Sequence, residues 1–351
     1  MSKYRIAVLP GDGIGEEVVR EGMKVLSAAA ESCGFDFEAK TYPFGADHYL
    51  ETGETMPESV FTEFLDFDAI YMGAIGDPRV ETGKLEHAII GGTRFKLDLY
   101  VNLRPVKLYH ESLCPLKGKG PDDIDMVFVR ENTEDAYTRI GGLFKEGTPD
   151  EVAIATMLYT RKGCERAIRY AFETAQKRNK QKKVTLVDKA NAIRAQDIWT
   201  RTFEEVAKEY PDIETDHAYI DAACMWMIKN PEWFDVAVSP NIFGDIITDL
   251  GAMLQGGLGI AASGNIHPGR VSMFEPIHGS APKYRGKNVA NPIAAIMAAA
   301  MMLDTIGEPK AAQRIEAAVQ ENLTNGNITS LSAGVKPCDE IGDLIAGSVR
   351  G

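Results

Sequence analysis

The chain begins with an apolar run, a glycine-rich turn and a helical pattern, and this order restricts the fold more than any other feature. Residues 4–9 form the apolar run of a buried strand, and residues 16–31 have the periodicity of an amphipathic helix. The sequence between them is PGDGIG. Strand, glycine-rich turn and helix in succession are typical of an open α/β sheet. A Rossmann fingerprint is matched only weakly, because the third glycine stands at the wrong spacing.

Strand and helix patterns continue to alternate along the chain. Apolar runs predict strands at residues 67–73, 124–129, 184–187, 218–221 and 234–238. Helical patterns are found at residues 161–178, 198–210, 222–229, 290–303 and 311–323, and the last of these is predicted to be the final helix. Residues 274–282 are expected to form an irregular loop, and residues 151–159 alternate like an extended β arm.

Two aspartates lie on one face of a predicted helix in the stretch NIFGDIITDLGAMLQGGLG, residues 241–259. The helical pattern starts after Gly244, so Asp245 and Asp249, four residues apart, are neighbours on the helix surface. Like charges at this spacing repel each other unless a cation lies between them. Carboxylate oxygens suit Mg²⁺ or Mn²⁺. A solvated acidic face is the alternative, and the apolar, glycine-rich flanks argue against it.

Three arginines stand at or near the ends of apolar elements: Arg94, Arg104 and Arg130. Each by itself could be an ordinary surface residue. Together they indicate a small ligand with several negative charges, because a guanidinium group binds a carboxylate in a bidentate way.

Composition narrows the classes of partner. The 351 residues carry a formal net charge of -13, which disfavours binding to nucleic acid or to an anionic membrane. The dense basic run at residues 177–183 is predicted to be a solvated loop. The five cysteines form no CxxC pair, so they suggest neither a zinc site nor a disulfide framework, and a reducing cytoplasm is expected. The longest apolar run, residues 292–303, is too short to span a bilayer.

Five motifs occur in one order along the chain: LRP at 103–105, VRENTE at 129–134, DKAN at 188–191, NIFGDIITD at 241–249 and EPIHGSAP at 275–282. Together they resemble the metal-dependent β-decarboxylating dehydrogenases. This is the family of the isocitrate, isopropylmalate, homoisocitrate, tartrate and D-malate dehydrogenases. The resemblance extends from GDGIG to the last predicted helix.

The resemblance implies a two-domain α/β fold of the isopropylmalate dehydrogenase type, with open mixed sheets flanked by helices, and not a Rossmann fold. Residues 1–99 plus 256–351 would form the large cofactor-binding domain, and residues 100–255 the small dimerisation domain with an extended arm near 140–160. The expected assembly is a homodimer with shared active sites.

The family reaction oxidises a 2-hydroxy acid with a nicotinamide cofactor and releases the β-carboxylate as CO₂. The resemblance implies a Mg²⁺ or Mn²⁺ site made of Asp245 and Asp249 from one chain and Asp221 from the other. Lys189 would act as the base and Tyr137 as the acid. The substrate-binding residues would be Arg94, Arg104, Arg130 and Ile90. The cofactor-binding residues would be Glu275, His278, Gly279, Ser280, Ala281, Lys283, Tyr284 and Asn291.

The sequence leaves the cofactor and the substrate open. Lys283-Tyr284 favours NADP slightly over NAD, because a cation would attract a 2′-phosphate. Ala88 and Ile90 replace the polar residues of isocitrate-specific relatives, so an apolar 3-alkylmalate, first of all 3-isopropylmalate, is favoured. Gly91 and Gly92 are interpreted as leaving room in this pocket.

Tartrate or D-malate is the next substrate prediction, followed by isocitrate or homoisocitrate. A non-catalytic regulatory subunit and a dicarboxylate-binding protein are alternatives from other classes. They are disfavoured because the three metal-ligand positions, Tyr137 and Lys189 are all intact.

Overall fold

The computed structural model describes residues 2–351 and divides the chain into two compact units. The first unit comprises the chain up to Leu99, Pro105–Ile124 and Ala252–Gly351, and the second comprises Tyr100–Arg104 and Asp125–Gly251. The division differs from the predicted domain boundaries mainly at Pro105–Ile124, which lies in the first unit. The cofactor-binding and dimerisation roles of the two domains remain predictions.

The chain alternates strands and helices along most of its length. The strands are β1 (Lys3–Gly11), β2 (Asp36–Thr41), β3 (Ala69–Ala74), β4 (Val101–Lys107), β5 (Asp125–Glu131), β6 (Gly141–Phe144), β7 (Val152–Ala155), β8 (Lys183–Asp188), β9 (Glu214–Tyr219), β10 (Val236–Ser239), β11 (Ala262–Ile266) and β12 (Ser272–Pro276). The helices are α1 (Gly15–Cys33), α2 (Ala46–Thr52), α3 (Glu58–Phe64), α4 (Gly92–Lys96), α5 (Arg161–Arg178), α6 (Asp197–Ala207), α7 (Ile220–Lys229), α8 (Asn241–Leu254), α9 (Ile293–Ile306), α10 (Pro309–Thr324) and α11 (Cys338–Arg350).

The first unit is built on a mixed sheet with the strand order β2-β1-β3-β12-β11. β1 is parallel to β2 and β3, whereas β12 is parallel to β3 and antiparallel to β11. All six residues of β3 are buried, as expected for a central strand covered on both faces. The apolar α9 is also buried along nearly its whole length and packs against α1 and α10.

The second unit has the strand order β4-β5-β10-β8-β9. β10 is parallel to β5 and β8, and β8 is parallel to β9. β6 and β7 form a separate antiparallel ribbon whose residues are all exposed, at the place where an extended arm was predicted. Because the carboxyl ends of parallel strands meet at one edge of a sheet, the residues that follow β5 and β8 are brought near that edge.

Four predictions about individual elements were wrong. Asp221 lies in the first turn of α7 and not at the end of a strand. Helix α8 begins at Asn241, before Gly244. Glu275 belongs to strand β12 and not to an irregular loop. A further helix, α11, follows the one that was predicted to be last.

Three predictions from composition can be compared with the structure. The basic run at residues 177–183 is extensively paired with acidic side chains, since Arg178 and Lys180 contact Asp125, and Lys183 contacts Asp216 at 3.0 Å. All five cysteines are free. Among residues 2–351, no helix combines the length and the apolar character needed to cross a membrane.

Candidate active site

Arg104, on β4, is positioned by two neighbours within the second unit. Asn102 and Arg104 are two residues apart on β4, so they point to the same face of the strand. The Arg104 Nε donates to Asn102 Oδ1 at 2.6 Å, and its Nη1 donates to Thr248 Oγ1 on α8, also at 2.6 Å. Arg104 is only 6% exposed, so these contacts hold a guanidinium group in one orientation inside the protein.

The two aspartates of α8 share the Arg104 guanidinium. Its Nη2 is 3.3 Å from Asp245 Oδ1 and its Nη1 is 3.3 Å from Asp249 Oδ1. The Arg104 guanidinium is therefore a cation of the chain itself that bridges the two like charges on this helix face. Partial burial raises the pKa of Asp249, the negative charge of Asp245 adds to this, and the charge of Arg104 opposes it.

Three side chains of the site converge on the Asp245 carboxylate. Arg130, at the end of β5, donates from Nη1 to Asp245 Oδ1 and from Nε to Asn241 Oδ1 at 2.9 Å. Tyr137 donates its hydroxyl to the other oxygen, Asp245 Oδ2, at 2.6 Å. The Arg130 guanidinium carbon also lies 5.2 Å from the centre of the Tyr137 ring. One carboxylate is thus held by two arginines and a tyrosine.

Gly244 explains how α8 approaches Arg130 so closely. A Cβ atom at Gly244 would lie 2.6 Å from Arg130 Cγ and 2.7 Å from its Cβ, distances too short for real atoms. The glycine before Asp245 is therefore required by the packing of the helix on Arg130, which is 1% exposed.

Lys189 and Asp221 form a second, separate pair in the same unit. Lys189 follows β8, Asp221 lies in the first turn of α7, and Lys189 Nζ donates to Asp221 Oδ1 at 2.5 Å. This hydrogen bond lowers the pKa of Asp221, so the carboxylate is ionised at neutral pH. Within residues 2–351, no three acidic, histidine or cysteine side chains come together as a group that could hold a metal ion. The Asp221 carboxylate remains mostly exposed.

The oxygen atoms of Asp245 and Asp249 fit Mg²⁺ or Mn²⁺ chemically, since both ions prefer hard oxygen ligands. The two carboxylates are adjacent on a rigid helix, and both remain partly accessible to solvent. Two protein carboxylates leave further positions for water or for substrate oxygens. A third ligand within reach is not found among the described residues of one chain.

The first unit contains a different kind of cluster, made largely of backbone. The Ile14 amide donates to the Ser280 carbonyl at 2.8 Å, and the Ser280 hydroxyl donates to the Gly76 carbonyl at 2.5 Å. Gly13 has φ +59°, and a Cβ there would lie 2.0 Å from the Ser280 oxygen. Asp12, which is nearly buried, accepts from the amide of Gly76 at 2.8 Å. Loops from three parts of the sequence are thereby fixed to one another.

Several further residues that were predicted to bind the cofactor lie in the first unit. Glu275 accepts from Asn265 Nδ2 at 2.8 Å and pairs with Arg94 Nη2 at 3.1 Å. The Nε2 of His278 and the Nδ2 of Asn291 are buried without a hydrogen-bond partner among the described residues. Burial lowers the pKa of His278, so its imidazole is neutral at pH 7. Buried groups without partners suit a polar ligand such as a nucleotide.

The remaining residues of this predicted cofactor set lie on the loop that leads away from β12. Ala281 has a left-handed backbone with φ 41°, and Gly279 is exposed. The exposed Lys283 places its ammonium group 4.7 Å from the ring centre of Tyr284. Within residues 2–351 the Lys283 ammonium group forms no ion pair with an acidic side chain, and its charge suits a phosphate.

The predicted substrate wall lies on a π-helical turn, Glu86–Gly91, that continues into α4. Such turns are frequent at functional sites. Ile90 is partly buried against the apolar core of the first unit. The interpretation that Gly92 leaves room was wrong, because a Cβ there would lie 2.9 Å from the Phe61 ring. At Gly91 the nearest atom would be His87 Nδ1 at 3.3 Å.

Four residues that orient the charged groups were not predicted from the sequence: Asn102, Asn241, Thr248 and Asp12. A signal existed for two of them. Asn102 precedes Arg104 by two residues on a strand, and Thr248 is one helical turn after Gly244 on the face that carries Asp245. Asn241 and Asp12 act across more than 30 residues of sequence, and no local pattern reveals such a contact.

The site of the second unit thus places a carboxylate pair suited to a divalent cation beside two buried arginines, on an α/β fold. The sequence profile of the family described as isocitrate/isopropylmalate dehydrogenase matches residues 5–345. The chain belongs to this family, as the motifs predicted. It is a decarboxylating dehydrogenase that depends on a metal ion and a nicotinamide cofactor.

The relatives support this assignment along the whole chain. A 3-isopropylmalate dehydrogenase from Thermobifida fusca is 47% identical over 345 residues, which are 97% of this chain and 96% of the relative. One from Nocardia farcinica is 46% identical over 348 residues, 98% of this chain and 100% of the relative. The crystal structure of an isocitrate dehydrogenase from Methylococcus capsulatus superposes with a TM-score of 0.89 at 37% identity, covering 99% of this chain and all of that one. The predicted fold class is confirmed.

Proposed function

We propose that this enzyme oxidises and decarboxylates 3-isopropylmalate to 4-methyl-2-oxopentanoate, a step of leucine biosynthesis. The observation that carries the proposal is the convergence of Arg104, Arg130 and Tyr137 on Asp245. Relatives that are 45–47% identical over nearly their whole length bear the name 3-isopropylmalate dehydrogenase. The apolar Ile90, in a place where isocitrate-specific relatives have a polar residue, favours an alkyl side chain on the substrate.

The arginines would bind the substrate carboxylates. Arg104 and Arg130 are buried and held by Asn102 and Asn241, so little conformational entropy is lost when they bind an anion. Arg94 in the first unit is predicted to be the third arginine of this set. Tyr137, with its hydroxyl beside Asp245, would donate a proton to the substrate carbon after CO₂ has left, and Lys189 would accept the hydroxyl proton.

A bound Mg²⁺ or Mn²⁺ would lower the pKa of the substrate hydroxyl and stabilise negative charge on the reacting oxygen. Asp245 and Asp249 would hold the ion together with Asp221 of a second chain. The separation of the Tyr137–Asp245 cluster from the Lys189–Asp221 pair supports a shared site, since each chain would supply one half to each of two sites. The proposed assembly is therefore a homodimer.

A subunit-mixing experiment tests the shared site. Asp245→Asn and Lys189→Met should each be inactive alone. Random mixing should restore about a quarter of wild-type kcat, because half of the dimers would be mixed and each would have one intact site. The control mixes either variant with itself through the same unfolding and refolding steps. No recovery from the mixed pair would mean that each active site is built from a single chain.

The substrate is tested with a panel of 3-isopropylmalate, isocitrate, homoisocitrate, D-malate and tartrate in the presence of Mg²⁺. We expect kcat/KM for 3-isopropylmalate to exceed each of the others by at least about 100-fold, which is about 3 kcal/mol of discrimination. Addition of a chelator should abolish turnover, and excess Mg²⁺ or Mn²⁺ should restore it. A higher kcat/KM for another acid would replace the substrate assignment without changing the reaction class.

The cofactor preference is proposed to be NADP slightly above NAD, because Lys283 offers a cation to a 2′-phosphate. Lys283→Asp should lower kcat/KM with NADP by about 10-fold or more and change that with NAD much less. Lys287→Asp, on the same loop, is the matched control. A large preference of the wild type for NAD would contradict the argument. The predicted cytoplasmic location rests on the free cysteines.

A further inference from the structure

We infer that Tyr159 and Gln196 are positioning residues, whose side chains form a hydrogen-bonded link between the turn that carries Tyr137 and the turn that carries Lys189. The inference rests on the proposed function, which gives Tyr137 and Lys189 their roles as acid and base. The link is made of four consecutive contacts and lies within the second unit.

Asp135 begins the link, two residues before Tyr137. It is fully buried and has a left-handed backbone with φ 69°, a conformation that is uncommon for residues other than glycine. Its Oδ2 accepts from the amide of Ile242 at 3.0 Å, at the beginning of α8. One turn later on α8, Asp245 receives the Tyr137 hydroxyl. Asp135 therefore fixes the Tyr137 turn to the helix that carries both carboxylates.

Tyr159 continues the link from the other oxygen of Asp135. Its hydroxyl donates to Asp135 Oδ1 at 2.9 Å and accepts from Gln196 Nε2 at 2.8 Å. Burial raises the pKa of Tyr159, so the hydroxyl keeps the proton that it donates. Its donor and acceptor capacities are both used, and the direction of each hydrogen bond is thereby defined.

Gln196 ends the link at Lys189. Its Oε1 accepts from the backbone amide of Lys189 at 2.7 Å, and the side chain of Lys189 leaves this backbone to reach Asp221. Gln196 is fully buried. Burying a polar side chain of this kind costs free energy unless its hydrogen bonds are made. An arrangement of the two turns that keeps these hydrogen bonds is therefore favoured over the others. Apolar side chains of the same size would fill the space without fixing either turn.

The variant Tyr159→Phe tests the link with little change in shape. We expect kcat with 3-isopropylmalate to fall about 10- to 100-fold, because small displacements of catalytic groups have effects of this size. The KM for the nicotinamide cofactor should change by less than about 2-fold, because the predicted cofactor residues lie in the first unit. The control is Tyr71→Phe in the first unit, which also removes a buried hydroxyl, one that donates to the Ala295 carbonyl at 2.7 Å. This control should lower Tm and keep kcat.

A second variant, Gln196→Met, cuts the same link at the next side chain. The double variant Tyr159→Phe/Gln196→Met should lose no more kcat than the worse of the two single variants, because both interrupt one chain of hydrogen bonds. Losses that multiply would show two independent effects and would overturn the inference.

Other outcomes are equally decisive. If Tyr159→Phe keeps kcat within about 2-fold of the wild type, the hydroxyl does not position the catalytic groups. If Tyr159→Phe lowers Tm as Tyr71→Phe does, and the loss of kcat is fully accounted for by the smaller folded fraction, the role is only structural. If the wild type itself fails to turn over 3-isopropylmalate but oxidises another acid of the panel, the proposed substrate fails and the link is tested with that acid instead.

Discussion

The two polar clusters of this molecule are formed by different chemical groups. In the second unit, the site consists of charged side chains that leave strands and helices, with Arg104, Arg130 and Asp245 at its centre. In the first unit, backbone amides and carbonyls of three loops meet at Gly13, Gly76 and Ser280. The cluster in the second unit depends on charge, and the cluster in the first unit depends on the close approach of backbone at Gly13.

Under the proposed function, this difference would correspond to two kinds of ligand. A small dicarboxylate and a divalent cation are recognised by full charges at fixed distances, which rigid elements provide best. An extended nucleotide needs a surface that the backbone can approach closely, and glycine permits such an approach. We therefore expect the loss of charge at Asp245 to damage the second unit most, and an added Cβ atom at Gly13 to damage the first unit.

Asp245→Asn should have the largest effect, because it removes the charge on which two arginines and Tyr137 converge. We expect kcat/KM to fall by about 1,000-fold or more, a loss of about 4 kcal/mol of transition-state stabilisation. The free energy of unfolding should fall by about 1–3 kcal/mol, since Arg130 is left buried with a weaker partner. Steady-state kinetics at saturating Mg²⁺ and urea unfolding measure the two effects.

Asp343→Asn is the matched control for this charge change. Asp343 is 70% exposed on α11 and pairs with Lys24, so its replacement should alter the free energy of unfolding by less than about 1 kcal/mol. The proposed importance of charge in the second unit would be contradicted if Asp245→Asn retained more than about a tenth of the wild-type kcat/KM.

Gly13→Ala should have the next largest effect, by adding a methyl group without any charge. The new Cβ would lie 2.0 Å from the Ser280 carbonyl, and the left-handed backbone adds about 1–2 kcal/mol of strain. We expect Tm to fall, the KM for the cofactor to rise about 10-fold and kcat to change only a few-fold. Thermal unfolding and cofactor titrations of the initial rate measure these quantities.

A glycine with free space around it provides the comparison. A Cβ at Gly347 in α11 would have no heavy atom within 4 Å, and Gly347→Ala should raise the free energy of unfolding by up to about 1 kcal/mol through helix propensity. If Gly13→Ala behaved like Gly347→Ala, close backbone approach would not be what the first cluster requires.

The same difference explains how much of the site the sequence predicts. Asp245, Asp249 and the three arginines are visible as charges at regular spacings or at the ends of apolar runs. The start of α8 at Asn241 was missed because its first turn is held by Asp135, which accepts from the amide of Ile242 across 107 residues of sequence. Gly92 was misinterpreted because the ring of Phe61 packs against it and leaves no space for a Cβ atom. Sequence patterns report local periodicity and charge, whereas caps and close contacts between distant residues depend on the folded chain.

The smallest effect on the free energy of unfolding is expected from His217→Gln. This variant tests whether charged contacts make the stability of the second unit depend on pH. His217 Nε2 lies 3.0 Å from Oδ1 of the fully buried Asp188, next to Lys189. The hydrogen bond to Asp188 raises the pKa of His217 despite partial burial, and Asp216 and Glu204 act in the same direction. Lys183, paired with Asp216 at 3.0 Å, is the neighbouring cation.

A raised pKa means that protonated His217 stabilises the folded state. This contribution is complete below the pKa of the unfolded chain, about 6.5, and disappears as the pH rises through the higher pKa of the folded state. Glutamine can donate a hydrogen bond to Asp188 but cannot gain charge. At pH 5.5 the free energy of unfolding of the wild type should therefore exceed that of His217→Gln by up to about 1 kcal/mol, and this difference should shrink towards pH 8.5. The difference is small because His217 is partly exposed to solvent. Gly13→Ala should instead show the same loss at both pH values, because no titrating group takes part in its clash. A pH-independent difference for His217→Gln would show that this histidine acts through packing alone.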